Sequence, residues 1–334
     1  MMREVEIERQ FNIKIENLKP SKGVYLLKTN QGDKCLKKID FNIPKLLFVG
    51  AAKEHLMNNG FPRVDKYCLN VDGNPYALVN EDLYTLSDWI QGRQCDFHIK
   101  EDLVNAAKSL AFMHLSSKGY ELPENSKLKT DLGRWNHLMD KRIKSFDKMR
   151  SLARKSNKKN NFDLNYIKTI DFFKDTGKKA MKILTESKYL ELCELAEEEK
   201  GFCHHDYTYN NIIIDKNNEI NIIDFEYCKR EIRVFDISNF MIKVLKRNDW
   251  NIEFAQVIIN AYNEVDSLKE EEYKVLYAFL LFPQRFWRLS NRYYYSEVNW
   301  STETFNNKLE ELIEEREIYM SFINNFKEIY SQNE

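Results

Sequence analysis

The chain is poor both in residues that interrupt regular structure and in residues that staple it. Its 334 residues include only 10 glycines and 6 prolines, too few for a collagen-like or low-complexity chain. The cysteines, at 35, 68, 95, 193, 203 and 228, form no C-x-x-C pair and no cluster. That spacing argues against a zinc site or a secreted disulfide framework and points to synthesis in a reducing compartment. An excess of one charge is also missing: 51 Lys plus Arg stand against 52 Asp plus Glu, for a formal net charge of -1. No overall field therefore draws the chain to nucleic acid or to an anionic membrane. The most hydrophobic stretch, 275–283, falls well short of the roughly 20 residues that a membrane span needs. The N-terminus MMREVEIERQF is charged, with no apolar signal core. A soluble, non-exported protein of cytoplasmic synthesis is expected.

What is present is ordinary globular material, 43% hydrophobic and 31% charged. A length prior of about 150 residues per domain suggests two lobes. The beginning is strand-rich. Residues 24–39 read as two strands around Asn30-Gln31-Gly32-Asp33, residues 44–59 as a helix stopped by Gly60, and 64–69 and 76–79 as further strands. From Ser87 onward, helical spacing of apolar residues prevails at 100–116, 132–154, 165–188 and 306–330. The Lys-rich 140–182, with KSNKKNN at 155–161, and the Glu-rich 186–199 read as solvated helices around a loop, or as a basic groove for an acidic substrate. One segment departs from the helical text: 202–225 reads FCHHDYTYNNIIIDKNNEINIIDF, a hairpin in which two Ile runs flank Lys216-Asn217-Asn218-Glu219.

This hairpin carries the chemistry. His204-His205-Asp206 precedes Asn211 by the spacing H-x-D-x-x-x-x-N, and Asp224-Phe225-Glu226 follows on the return strand. With Asn217-Asn218 as a two-residue turn, Asn211 is expected directly opposite Asp224, where cross-strand Cβ atoms lie about 4.5 to 5.5 Å apart. Two oxygen-bearing side chains at the open end of a ribbon suit Mg²⁺, a hard cation that completes its shell with phosphate and water. Phosphoryl transfer asks a protein for metal, positive charge, alignment and a carboxylate that orients the nucleophile. Asp206 is the expected carboxylate and Asn211 and Asp224 the metal ligands. Glu226, on the same strand face as Asp224, is placed to touch a second metal or a water. Each residue singly is as readily a cap, turn or core group. His204 is expected to buttress the loop and His205 to face solvent.

At these residues the sequence resembles the protein-kinase-like superfamily, in its aminoglycoside phosphotransferase and choline kinase branch, through HHDYTYNN and IIDFE. It is similar in three more places to the CotS-type spore coat protein family, which has that kinase-like fold: GVYLLKTNQGDKCLKKI, IQGRQCDF at 90–97 and FPQRFWRLSNRYYYSEVNW at 282–300. The resemblance implies an α+β, bilobal, protein-kinase-like fold, with a β-rich nucleotide-binding lobe over 1–80 and a helical lobe over 81–334 holding the catalytic hairpin at 202–226. It further implies ATP and Mg²⁺ as cofactors, Lys37 as the phosphate lysine with Lys38 as competitor, and Glu54 as the helix partner of Lys37. The adenine edge is expected on backbone groups of Leu78, Val79 and Asn80, in a hinge reaching Glu81. Asp236 resembles a further acidic residue that anchors the catalytic loop.

Two departures stand out. The turn over the phosphates, Lys19-Pro20-Ser21-Lys22-Gly23, has a single glycine, which weakens backbone cradling of phosphate. Residues 80–85 lengthen the passage into Leu86-Ser87-Asp88-Trp89. In the aromatic run 286–295, Phe286, Leu289 and Tyr293 share a face suited to the core. Trp287, Asn291 and Tyr294 share another, which could line an acceptor pocket, a partner surface or an aromatic box for a quaternary ammonium. Two functions compete: an ATP/Mg²⁺-dependent phosphotransferase acting on a hydroxyl acceptor, a small molecule being favoured, and a structural spore coat component that keeps the scaffold without turnover. Only ten positions separate Glu226 from Asp236, too few for a long protein-kinase activation loop. Other spore coat proteins are the partners, and the spore coat the location, that the resemblance implies.

Overall fold

A computed structural model of the chain describes residues 4–21, 23–155, 159–295 and 300–330. Lys22 of the expected phosphate turn, 156–158 of the Lys-rich segment and 296–299 of the aromatic motif lie outside the described residues. The chain divides into two compact units: Met1–Thr130, Glu199–Arg230 and Ala261–Asp266 form the first, and Asp131–Glu198, Glu231–Asn260 and Ser267–Glu334 the second.

The first unit begins with α1 (Glu4–Phe11), then β1 (Ile15–Ser21), β2 (Val24–Thr29), β3 (Gly32–Ile39), α2 (Ile43–Asn58), β4 (Ala77–Val79) and β5 (Asp82–Asp88). The five strands make one antiparallel sheet in the order β1-β2-β3-β5-β4. Alternation along the strands sorts the two faces. Leu27, Leu36, Ala77, Val79, Tyr84 and Leu86 bury one face with Ile7 and Phe11 of α1. The other face carries the cross-strand pairs Cys35 with Ser87 and Lys37 with Thr85. Helix α2 starts at Asn42, whose side chain accepts from the Lys45 amide, with Pro44 in the first turn. It ends before Gly60, which has φ +87°. The expected strand at 64–69 is reduced to single bridges, Val64 with Ile222 and Tyr67 with Ser87.

The expected lobe boundary at 80/81 falls inside this sheet, in the turn between β4 and β5. The lengthened passage at 80–85 is that turn followed by the start of β5: Asn80 and Glu81 both have positive φ, +50° and +70°, the geometry of a tight two-residue hairpin. The unit continues with β6 (Arg93–Gln94), α3 (Lys100–Ser117), β7 (Ile212–Ile214) and β8 (Ile220–Ile222), the short strands pairing in the order β6-β7-β8.

The second unit is helical: α4 (Trp135–Lys155), α5 (Asn161–Thr185), α6 (Tyr189–Glu199), α7 (Val234–Leu245), α8 (Ile252–Asn263), α9 (Glu270–Leu281), α10 (Gln284–Tyr295), α11 (Thr302–Glu314) and α12 (Arg316–Tyr330). The last residue of α6 and the last turn of α8 count with the first unit. The helix expected over 306–330 is two helices. The core here is aromatic: Phe286 stacks on Phe173 at 3.9 Å and on Tyr166 at 5.4 Å, among Phe146, Phe162 and Phe305. Among the described residues no helix is long and apolar enough to cross a membrane.

Candidate active site

The hairpin expected over 202–226 forms, but its register is one residue away from the expected one. Ile212 faces Ile222 and Ile214 faces Ile220. Asn211 therefore lies opposite Ile223, whose amide donates to the Asn211 carbonyl at 3.0 Å, and Asp224 falls one residue further on. The cause is the loop. Asn218 donates its amide to the Asp215 carbonyl at 3.1 Å and takes φ +60°, a turn followed by one left-handed residue rather than a two-residue turn. Asp215 fixes it, accepting the amides of Asn217 and Glu219 at 2.8 and 3.0 Å, and these amides, that of Glu219 foremost, hold its carboxyl below the usual range.

Asp206 sits on the loop before β7 and is held on two sides. The Asn211 side-chain amide donates to the Asp206 carbonyl at 3.0 Å and to its Oδ2 at 3.1 Å. Both donations come from Nδ2, so Asn211 keeps Oδ1 as a free-standing acceptor type suited to a hard cation. Fully buried His204 accepts the Asp206 amide at Nδ1, 3.2 Å, and its Nε2 meets the Ile223 carbonyl at 3.0 Å. A neutral ring with its proton on Nε2 satisfies both contacts. His204 thus ties the Asp206 loop to the residue preceding Asp224. His205 is half-buried, with φ +67°.

Asp224 is itself left-handed, φ +67° and ψ +60°, a conformation that costs a non-glycine residue roughly 1 kcal/mol or more. Its Oδ1 meets Lys37 Nζ at 3.0 Å, and the same ammonium meets Glu226 Oε1 at 2.8 Å. Burial works against the Lys37 charge, but the two carboxylates outweigh it and lift its pKa above the ordinary value. The competitor Lys38 points to the other face and pairs with Asp82 at 2.7 Å. Lys37, Asp224 and Glu226 are brought together; Glu54 is not among them. It lies exposed on α2 and pairs with Lys66 at 3.4 Å. The inward stripe of α2 is Leu46, Val49, Lys53 and Leu56, so the expected helix carboxylate is replaced by a lysine. Lys53 is 1% exposed, lies 3.8 Å over the Tyr67 ring, and binds Asp65 through both its carbonyl, at 2.9 Å, and Oδ1, at 3.0 Å. Asp65 Oδ2 accepts the Asp224 amide at 3.3 Å. The pair Lys53–Asp65 therefore fixes the strained Asp224 backbone.

The residues expected to meet adenine are engaged elsewhere. Leu78 has both backbone groups taken by Gln10 of α1, its amide at 3.2 Å and its carbonyl at 2.7 Å; Val79 is buried in the core and Asn80 turns the hairpin. Because β4 is the sheet edge and β5 its inner neighbour, the chain leaves the sheet only after Asp88. At the other end, β1 and β2 stay paired as far as Ser21 and Val24. Asp236 is fully buried in the first turn of α7, in the second unit.

Sequence reasoning singled out 90–97 by resemblance without a physical role. A Cβ on Gly92 would lie 2.4 Å from the Ile214 carbonyl oxygen, so only glycine lets the chain press against the hairpin. Beyond it β6 pairs with β7, and Arg93 grips Asp102 with two nitrogens at 2.5 and 2.8 Å. The segment clamps the β7–β8 hairpin to the start of α3. The missed signal was Gly followed by Arg, with an acidic residue nine positions later.

Comparisons with known proteins bear on the family and the fold. Residues 4–326 match the family described as "Spore coat putative kinase YutH". Spore coat protein S of Bacillus subtilis (strain 168) is 24% identical over 326 residues, 96% of this chain and 91% of that protein. The aminoglycoside phosphotransferase of Alicyclobacillus acidocaldarius superposes with a TM-score of 0.88 at 17% identity, covering 100% of this chain and 97% of the other. Amicoumacin kinase, solved with AMP-PNP, Ca²⁺ and Ami, gives 0.61 at 14%, covering 97% and 95%. The fold is that of the aminoglycoside phosphotransferases, an antiparallel N-terminal sheet followed by a mostly helical remainder.

Proposed function

The chain belongs to the YutH family of spore coat kinase-like proteins, and from that premise we propose that it is an ATP- and Mg²⁺-dependent phosphotransferase of the spore coat acting on a small-molecule hydroxyl. One observation carries the reading: Asn211 holds Asp206 in place by two hydrogen bonds from Nδ2, while one residue beyond its backbone partner Ile223 stands Asp224, paired with Lys37. Asp206 orients the acceptor hydroxyl and takes up its proton. Asn211 Oδ1 and the Asp224 carboxylate are the oxygen donors that would hold Mg²⁺, which supplies charge neutralisation at the transferring phosphoryl group. Glu226 supports them, and Lys37 turns from its two carboxylates to the nucleotide phosphates. The adenine edge falls to the chain leaving the sheet after Asp88, not to 78–80. A nucleotide and a divalent cation are held by amicoumacin kinase, which supports the same use here.

A second reading is a structural coat component with little turnover. What favours it is the pairing of Ser21 with Val24, which commits the backbone of these two residues to the sheet rather than to phosphate.

Thermal unfolding with ATP, with and without Mg²⁺, separates the two. Ligand at 100 times its dissociation constant stabilises by about 2.7 kcal/mol. A rise in melting temperature with Mg²⁺-ATP that is mostly lost in Asp224→Ala is the expected result. No response of the wild type at millimolar nucleotide leaves the structural reading.

A further inference from the structure

Charge that balances over the whole chain, to a formal -1, is segregated along it. Residues 140–182 hold 14 Lys and Arg against 5 Asp, and 186–199 hold 6 Glu against one Lys. The second unit turns this imbalance into two helix faces of opposite sign. On α4 the buried stripe is Trp135, Met139, Ile143, Phe146, Met149 and Ala153, and the face turned away from it carries Lys141, Lys144 and Lys148, all exposed. On α6, Tyr189 and Cys193 are buried, while Glu191, Glu194 and Glu198 are exposed.

Both trios have the spacing i, i+3, i+7, so each forms a ridge about 10 Å long on its helix. Among the described residues Lys141 and Lys148 have no hydrogen-bond or ion-pair partner, Lys144 has Asp140 alone, at 2.7 Å, and none of the three glutamates forms an ion pair. An exposed leucine borders each ridge: Leu152, 41% exposed, one turn beyond Lys148, and Leu190, 55% exposed, just before Glu191. A solvated helix face ordinarily mixes its signs, so that neighbours three and four positions apart attract. Here they repel, Lys144 against Lys148 and Glu194 against Glu198. A surface of opposite sign relieves that repulsion, and the chain carries one for each ridge.

We propose that the chain associates with a second copy of itself, the lysine ridge of α4 in one copy docking on the glutamate ridge of α6 in the other. With the two helices antiparallel, the shared spacing lets Lys141 meet Glu198 and Lys148 meet Glu191, and it brings Leu152 and Leu190 to the same end. Complementary charge of this kind sets register and partner choice, and the near-zero net charge leaves no overall repulsion between copies. Exposed ion pairs are individually weak and are screened by salt, so the association belongs to concentrated protein at low ionic strength. It is independent of phosphoryl transfer and needs no nucleotide.

The test is analytical ultracentrifugation of the full chain at up to about 0.5 mM, in about 0.01 M and about 1 M salt, where the screening lengths are roughly 30 and 3 Å. The average mass of the wild type is expected to rise with concentration at low salt and to stay that of a monomer at high salt. Lys141→Glu with Lys148→Glu should weaken the association about tenfold or more, and so should Glu191→Lys with Glu198→Lys. All four side chains are exposed, so both variants should melt with the wild type; should either melt early, Gln at the same two positions is expected to lose the association as well. Combining the four changes exchanges the signs of the ridges at unchanged net charge and should restore association. A wild type that stays monomeric at low salt, association that persists at high salt or in either double variant, or a fourfold variant that stays monomeric overturns the proposal and leaves the two ridges as solvated faces.

Discussion

The hairpin site of the first unit and the aromatic core of the second are held together by opposite means. Around Phe286 the partners are rings: Phe173, Tyr166 and Phe146 all pack on it, and the attraction is spread over many weak, non-directional contacts. Around Asp224 the partners are single atoms, an amide given to Asp65, an oxygen given to Lys37, and the backbone is left-handed. In the core, stability comes from area, and a lost contact is one among many. At the site, strain and unlike charges are held at fixed points, so a lost atom changes what the site can do before it changes whether the chain folds.

The sharpest way to break this contrast is Asp206→Asn. It keeps the shape and the amide held by His204 but removes the proton acceptor. Turnover on any acceptor found should fall about a thousandfold, with the melting temperature nearly unchanged. A variant that unfolds, or one that retains most turnover, would place Asp206 with the structural residues. Next in size, Phe286→Ala should cost about 3 to 5 kcal/mol of unfolding free energy in a denaturant titration. In the cold, where the variant stays folded, its response to Mg²⁺-ATP should survive. A loss below about 1 kcal/mol would mean that the ring stack relaxes and that the core is not the densely packed element described.

Lys53 tests the boundary between the two regimes, being 1% exposed yet engaged through charge. Lys53→Met leaves Asp65, whose side chain is 19% exposed, without its counter-ion, and breaking such a pair costs about 3 kcal/mol. Because Asp65 also holds the Asp224 amide, the Mg²⁺-ATP stabilisation should weaken in the same variant. Adding Asp65→Asn should restore much of the stability, by removing the stranded charge, without restoring the nucleotide response. Recovery of both together would show that Asp65 does not position Asp224.

Much of the first unit was legible because its signals are local. Gly32 and Gly60 punctuate strand and helix, Asn42-x-Pro44 starts α2, and the H-x-D-x-x-x-x-N spacing with D-F-E marks the loop that the structure builds around Asp206. The errors came where a one-residue choice is settled in three dimensions. The resemblance put Glu54 beside Lys37, whereas packing leaves Glu54 exposed and buries its neighbour Lys53. A turn of Asn217-Asn218 and a loop closed by Asp215 differ by one residue in register, and only the hydrogen bonds to Asp215 decide between them. The hairpin at Asn80 and Glu81 was missed, because their positive φ has no marker as plain as Asn-Gly. The stacking of Arg142 of α4 between the indoles of Trp135 and Trp287 was beyond reach: the two indoles are separated by more than 150 positions, and a lysine- and arginine-rich helix gives no hint which cation is enclosed.

The smallest expected effect lies at Cys35, whose strand partner across the sheet is Ser87, on the face that carries Lys37. Burial, helped by the negative charge of Asp65 and opposed by Lys37, pushes this thiol up to about 11 from an ordinary 9.0. The thiolate is the reactive form, so at pH 8 iodoacetamide should label Cys35 far more slowly than an exposed thiol of ordinary pKa. Between about pH 9 and pH 11 the unfolded chain has lost this proton while the folded chain retains it. The unfolded state then binds fewer protons, and stability falls as the pH rises through that window. Lys37→Met removes the positive charge that opposes the shift, so labelling of Cys35, followed by peptide mass spectrometry, should slow further. Faster labelling in that variant would mean that the lysine shields the thiol by bulk rather than by charge, and the site would then resemble the aromatic core more than its ion pairs suggest.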